Sequence, residues 1–387
     1  MTIEVASGRT TSGARIAFDA PADVRAALDR AGRTEDVRIS PDGRRLALAC
    51  YSESAIGLAD VAVERTSSEE VEVAVTGFEL LRGPGVREPH GVEFVTNDVV
   101  AVANRGRSVA FYSLPGEGSN GELLPWGDAA GAPEEGEGPG SVRVRWEATG
   151  ERSIFVCNNW VDTVTRHVLG ADGVLGPGEV VAHRRLELPD GVALSDDGRW
   201  LAVSSHDSSS VLVFAFPARG AQDEPACILR GAKCPHGLRF AFDDQRLLVA
   251  DAAAPYVHVF EPDAGGWADA AYPSSSIRVL DDATFERRRR NRYEGGPKGI
   301  DVLAGDVLVL TCEGTPLAFF DLARATDDAA RDLRLQYELH VLDERSDLEQ
   351  VAADLRRELD AIRQGKAWKL LQPARATYAR LRGLLGR

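Results

Sequence analysis

The chain lacks the marks of several protein classes. No apolar run in its 387 positions approaches the roughly 20 residues needed to cross a bilayer. Met1-Thr2-Ile3-Glu4-Val5 has no basic region leading into an apolar one, so no secretory signal is expected and the chain reads as cytoplasmic. Positive charge is in short supply: 45 Lys and Arg against 60 Asp and Glu leave a net charge of -15, which argues against a nucleic-acid surface. Cysteines number only 5, an odd count with no small-domain spacing, which suits reduced thiols rather than a disulfide framework. There is no Gly-x-Ser-x-Gly, no Walker loop and no Cys-x-x-Cys pair, so a nucleophile elbow, a nucleotide loop and a zinc ribbon have no support.

The composition is globular, with 44% hydrophobic residues and 38 glycines, in a length that suits two or three average domains or one large repeat domain with appendages. A repeat favours the second. Pro89-His90-Gly91-Val92-Glu93-Phe94 is followed by the apolar run Asp98 to Asn104 and by Ser108 to Tyr112. The same order recurs at Pro189-Asp190-Gly191-Val192 with Trp200 to His206 and Val211 to Phe216. It recurs again at Pro235-His236-Gly237-Leu238 with Leu247 to Asp251 and Val257 to Phe260. A first unit opens at Glu35 to Gly43, whose Pro41-Asp42-Gly43 is a tight hairpin signal, and continues through Leu46 to Cys50, Gly57 to Val61 and Val71 to Leu81. A third is carried by Ser141 to Val144 and Ile154 to Asn159. A sixth runs through Pro297 to Val302, Val307 to Thr311, Leu317 to Asp321 and Leu335 to Leu342. Gly127 to Gly140, between the second and third units, is an acidic Gly, Glu and Pro-rich loop.

Six units of roughly fifty residues are in the range of propeller blades built from four short strands. Such a sheet cannot bury its two apolar faces alone, so the units must pack around an axis and close. The expectation is an all-β, six-bladed propeller over 31–342, preceded by an arm, 1–30, and followed by a helical extension, 343–387. The arm holds a strand-like piece, Ala14 to Phe18, suited to completing the last blade, and a helical piece, Pro21 to Arg30. A seventh blade involving this arm is the alternative. Cys50, Cys157 and Cys312 fall at one place in three units, near the end of the second strand, where a small buried side chain packs well.

The pattern Pro-x-Gly-apolar, a hairpin turn with Asp-Gly, an apolar return strand and Val-x-Val-Phe resembles the six-bladed propellers of the NHL and SMP-30 (gluconolactonase-like) superfamily, over about residues 31–342. In such a blade the x position and the end of the second strand meet at one rim of the central channel. Read off here, x is Asp36, His90, Ser141, Asp190, His236 and Lys298, and the second-strand ends are Tyr51, Asn104, Asn158, His206, Asp251 and Glu313. Polar groups in a channel can simply hold water. Converging histidines, carboxylates and a lysine also make a ligand site. The resemblance implies a divalent ion (Ca, Mg, Mn or Zn) at this mouth, held by carboxylate and amide oxygens, which polarises a lactone or ester carbonyl. Asp190 and Asn158 are the best matches to its ligands, with Glu313, Asn104 and Asp251 as additions. His90, His236 and Lys298 depart from the pattern: a lysine would compete with a hard cation, whereas the histidines suit a softer metal or general-base work.

Phe285 to Tyr293 carries five arginines, including Arg288 and Arg289, and leads into Pro297-Lys298-Gly299. It reads either as a solvated turn paired with Asp281, Asp282 and Glu286 or as a lid for a phosphate or carboxylate. Beyond residue 342, Leu348, Val351, Leu355, Leu359 and Ile362 share one helix face, the pattern of a packed helix or a short coiled coil able to join a protein partner or a second copy. Residues 366–387 hold six basic and no acidic residues among Trp368, Leu370, Leu371, Tyr378 and further leucines. Such a segment can fold back on the acidic body, dock on a partner or lie at the inner membrane face. Trp368-Lys369-Leu370-Leu371-Gln372-Pro373-Ala374-Arg375 is similar to the ending of many bacterial glycosyltransferases and other enzymes of surface-polysaccharide assembly. Two functions are therefore expected. The first is a binding or scaffold propeller that takes an anionic sugar or a protein partner at its mouth and serves cell-surface glycan assembly. The second is a metal-dependent hydrolase of lactones or sugar esters.

Overall fold

The computed structural model describes residues 14–66, 70–116, 121–127, 137–147, 149–216, 224–264, 266–267 and 272–326. The strand expected at 335–342, the helical pattern beyond it and the basic tail 366–387 lie outside these residues.

The described residues form six sheets in a ring. The inner strands are Thr34–Ile39, Pro89–Thr96, Pro139–Trp146, Pro189–Leu194, Pro235–Ala241 and Gly299–Leu303, for blades one to six in turn. Each packs against the inner strand of the next blade, and the sixth against the first, which closes a ring of six rather than seven. Within each blade the first three strands follow one another antiparallel from the axis outward.

Burial explains the sequence pattern of each strand. The second strands Val99–Asn104 and Val307–Cys312 are buried at every residue, and the other four at all but their first. Both faces of a blade meet a neighbour, so these strands read as continuous apolar runs and not as alternation. The outermost long strand of blade one, Val71–Leu81, alternates instead, because solvent lies beyond it. Cys50, Cys157 and Cys312 are fully buried free thiols packed in the aliphatic clusters between blades. Burial pushes the Cys50 thiol up to about 12, so it is a packing group and not a nucleophile.

The Pro-x-Gly repeat has a steric cause. A Cβ on Gly191 would lie 2.2 Å from the backbone carbonyl oxygen of His236 in blade five, and one on Gly237 would lie 2.5 Å from that of Lys298 in blade six. Adjacent inner strands approach too closely there for any side chain.

The N-terminal arm divides its work. Arg15–Ile16 forms the outer strand of blade six, pairing antiparallel with Thr315–Asp321 through Arg15↔Phe320 and Ile16↔Phe319. Asp321 N–H then donates to Ala14 O at 2.8 Å. Phe18–Asp19 next runs parallel beside Val71–Leu81 as a fifth strand of blade one, with Phe18 opposite Val73. One short segment thus ties the last blade to the first, and the helix Ala22–Leu28 packs Val24 and Leu28 into the blade-one core behind it. No helix among the described residues is long and apolar enough to cross a membrane.

Candidate functional site

The register of the inner strands fixes which residues reach the mouth. Val37, Val92, Val142, Val192, Leu238 and Ile300 occupy equivalent places, facing Leu48, Val102, Val156, Val203, Val249 and Leu310 on the second strands. Counting back two residues gives Glu35, His90, Gly140, Asp190, His236 and Lys298. Blades one and three open on Thr34-Glu35-Asp36 and Pro139-Gly140-Ser141, so neither offers a full Pro-x-Gly, and the mouth positions there are Glu35 and Gly140 rather than Asp36 and Ser141. Asp36 stands in the glycine place and turns toward blade two. Its carboxylate accepts from Val92 N–H at 3.2 Å and pairs with Arg38 at 2.9 Å.

Glu35, His90, Asp190, His236 and Lys298 converge, and all are buried. Lys298 Nζ donates to both Glu35 oxygens, at 3.0 and 2.8 Å. Arg33 Nε reaches the same carboxylate from the rim. His90 Nε2 lies 3.7 Å and His236 Nε2 3.5 Å from Glu35 Oε2, and His236 Nε2 is 3.2 Å from Asp190 Oδ2. The two imidazoles stack with centroids 5.2 Å apart. His90 Nδ1 is 2.9 Å from Gly140 O. A carbonyl only accepts, so the ring proton is on Nδ1 and the Nε2 lone pair faces inward. Burial, with Arg105 beside it, pushes His90 down to about 3 and leaves it neutral.

Both carboxylates are ionised. Burial would raise Glu35, but Lys298, the hydrogen bond from His236, His90 and Arg33 outweigh it and hold the group well below the usual carboxylate range. Burial would likewise raise Asp190, and His236, His90, Arg105 and His206 bring it far down. Asn159 and Arg105 were not anticipated as parts of this site. Asn159 Nδ2 donates to Pro189 O at 3.0 Å and Asp190 Oδ1 at 3.1 Å, and Arg105 Nη2 is 3.7 Å from Asp190. Asn159 Oδ1 would be 2.0 Å from a Cβ on Gly140, so the bare backbone of blade three makes room for this amide. Asn159 Oδ1 and Arg105 Nε are buried without a hydrogen-bond partner among the described residues. One residue beyond the second-strand ends of blades two and three, in line with Tyr51 and His206, was the signal for both.

The other expected rim residues are turned to local tasks. Asn104 accepts from Arg87 N–H at 3.0 Å and donates to Ser108 O at 3.1 Å, holding its own turn. Asn158 donates to Thr163 and Thr165, both at 3.1 Å, in blade three. Asp251 accepts from the backbone N–H groups of Lys233, Cys234 and Ala253, at 2.7, 3.0 and 3.0 Å, and faces His258 at 3.2 Å. These bonds tie blade five together and leave Asp251 apart from Asp190. Glu313 pairs with Arg290, and His206 leans on Tyr293 with ring centroids 5.8 Å apart. Arg288 is pinned to Gly314 O at 2.9 Å and Cys312 Sγ at 3.3 Å, and Arg289 sits 3.7 Å from Glu286. A separate open depression of about 640 Å³ lies away from this mouth, lined by Ala27, Arg30, Phe78 and Leu81.

The donor set suits a metal. Glu35, His90 and His236 each offer one ligand atom, all within 4.8 Å of one another. Ligands about 2.1 Å from a tetrahedral ion are separated by about 3.4 Å, and the two histidine–Glu35 pairs lie at 3.7 and 3.5 Å. Two imidazole nitrogens favour a borderline ion such as Zn over Ca, Mg or Mn.

No family model matches the chain, and no curated protein matches its sequence. Many solved structures share the fold. Hydrazine synthase of Kuenenia stuttgartiensis superposes with a TM-score of 0.50 at 14% identity, over 79% of this chain and 82% of that one. A candidate 6-phosphogluconolactonase from Bacteroides uniformis gives 0.47 at 17% identity, over 71% and 77%. A candidate gluconolactonase gives 0.47 at 14%, over 82% and 92%. At these identities the likeness is one of architecture, and the chain is a six-bladed β-propeller whose activity must be argued from its mouth.

Proposed function

We propose that the channel mouth is the divalent-metal centre of a hydrolase that opens lactones or sugar esters. The observation that carries this reading is the convergence of Glu35 and the inward lone pair of His90 with His236 Nε2, at separations that suit one coordination shell. A bound ion there would supply a Lewis acid for a carbonyl and a more acidic water. The chain's own residues do the rest. Gly140 O fixes the tautomer and orientation of His90. Asn159 holds Asp190, whose ionised Oδ2 faces His236 Nε2 and orients that ring. Lys298 Nζ places a positive charge beside the shell, where an oxyanion would develop. Asp190→Ala should lower turnover of a lactone or aryl-ester panel by roughly 10²–10⁴-fold, with circular dichroism unchanged; undiminished turnover would place the chemistry elsewhere.

The second reading is a binding mouth for an anionic sugar, in a scaffold of cell-surface glycan assembly. It is favoured by Arg33 and Lys298, two cations already on Glu35, with Arg105 beside Asp190. A folded, metal-free protein that retains an anionic sugar would support it. We further propose that the basic segment 366–387 brings the protein to an anionic membrane face and that the helical pattern before it joins a partner or a second copy. Removing 366–387 should abolish sedimentation with phosphatidylserine vesicles, and unchanged sedimentation would refute this role.

A further inference from the structure

The segment 289–295 lies between two anchors. Before it, the Arg288 guanidinium donates to Gly314 O of blade six at 2.9 Å; after it, Gly296 N–H donates to Ala252 O of blade five at 2.9 Å. Residues 289–293 are exposed. Among the described residues, the backbone of 290–295 makes one hydrogen bond, and that one is internal, from Tyr293 N–H to Asn291 Oδ1 at 2.8 Å. With no ladder or helix to hold it, this stretch keeps its place through its side chains.

Two of those side chains reach opposite walls of the ring. Glu294 Oε1 lies 3.1 Å from Arg33 Nη2, just before the inner strand of blade one, and the Tyr293 ring packs on His206, just after the second strand of blade four. Blades one and four face each other across the axis of a six-blade ring. Adjacent residues can touch both rims only by lying over the channel, so Tyr293 and Glu294 cover Glu35, His90 and His236, all of them buried. Farther along, the channel is filled: Arg239 of blade five donates to Asp301 at 2.7 Å and reaches Glu93 of blade two, on the opposite wall, at 3.4 Å. The cover also bears on the site itself. Arg33 donates through Nε to Glu35 while its Nη2 faces Glu294, so one guanidinium joins the segment to a mouth carboxylate.

We propose that residues 289–295 are a strap closed over the mouth, latched by Glu294 on Arg33 and by Tyr293 on His206, and that a solute reaches Glu35, His90 and His236 only when the strap lifts. The inference concerns access and holds whatever the mouth binds. The latch is weak enough to open: the paired side chains of Arg33 and Glu294 are 23% and 21% exposed, and a pair so placed biases an equilibrium by roughly two- to fivefold.

Diethyl pyrocarbonate, which acylates imidazole nitrogens, probes the opening in the metal-stripped full chain, with each histidine followed by peptide mass spectrometry. His90 and His236 should react slowly. Glu294→Gln should speed both by roughly two- to fivefold, and Glu294→Gln combined with Tyr293→Ala should speed them further. His258, buried in blade five outside the mouth, should keep one rate in all three proteins, which separates strap opening from general loosening. Trypsin gives a second readout, because cleavage after Arg290 requires the segment to leave the surface; it should accelerate in the same order, with the melting temperature unchanged. Equal acylation of His90 and His236 in all three proteins would overturn the proposal. So would faster cleavage without faster acylation, since the segment would then move without guarding the mouth.

Discussion

Charge at the level of single residues sets how this protein responds to pH. Burial raises the Asp36 carboxyl from its ordinary 3.8 to about 6, against the pull of Arg38 and Arg239. A carboxyl raised on folding contributes stability that is fully present below about 3.8 and is lost as the pH rises through about 6. In metal-stripped protein, acidification from pH 7.5 to 5 should therefore favour the unsubstituted chain over Asp36→Asn by roughly 1 kcal/mol, read from urea melts at each pH. A difference that is absent or of opposite sign would mean that Asp36 is ionised throughout. A second residue-level consequence follows from the closeness of inner strands. Gly237→Ala would place a methyl 2.5 Å from Lys298 O, and overpacking of this kind costs roughly 1–3 kcal/mol. Thermal melting should fall accordingly, with unchanged melting contradicting the steric account of the Pro-x-Gly repeat.

Single elements divide between those that carry the ring and those that seal it. Arg15–Ile16 and Phe18–Asp19 are two residues each, yet they join blade six to blade one. Removing residues 1–20 strips Ile16 and Phe18 from the blade-one cluster; losing two such side chains should cost about 2 kcal/mol or more. A melting temperature equal to that of the full chain would show the ring to be closed by its other contacts alone. Blade period, hairpin turns and second strands were legible in the sequence because apolar runs and Asp-Gly turns are local signals. The parallel pairing of Phe18 with Val73 and the two-residue outer strand Leu124–Pro125 were not, since strands so short carry no period. The candidate site was legible where Pro-x-Gly is complete: His90, Asp190, His236 and Lys298. Glu35 was missed because blade one replaces the glycine with Asp36, so a count made from proline and glycine slips by one, whereas a count from Val37 does not. Asn159 and Arg105 stand one residue beyond the second-strand ends, in line with Tyr51 and His206, so a reading that stops at Asn104 and Asn158 misses both.

For the whole molecule, a closed ring of six blades gathers one residue per blade at each level of its axis. It thereby brings together groups 263 positions apart in sequence, as in the Lys298–Glu35 pair. The same architecture explains why ionisable side chains can be buried at the centre of an otherwise aliphatic body: acids and bases face one another across blades, as Lys298 faces Glu35 and Arg239 faces Asp301. The central claim is that Glu35, His90 and His236 form one divalent-metal centre, with Asp190 beside His236. Its most direct test is the metal content of the full chain after equilibration with zinc or manganese and removal of free ion, measured by plasma mass spectrometry beside that of His236→Ala and Glu35→Ala. The account predicts close to one ion per chain, reduced at least tenfold by either substitution; a folded, unsubstituted chain that retains neither ion would contradict it.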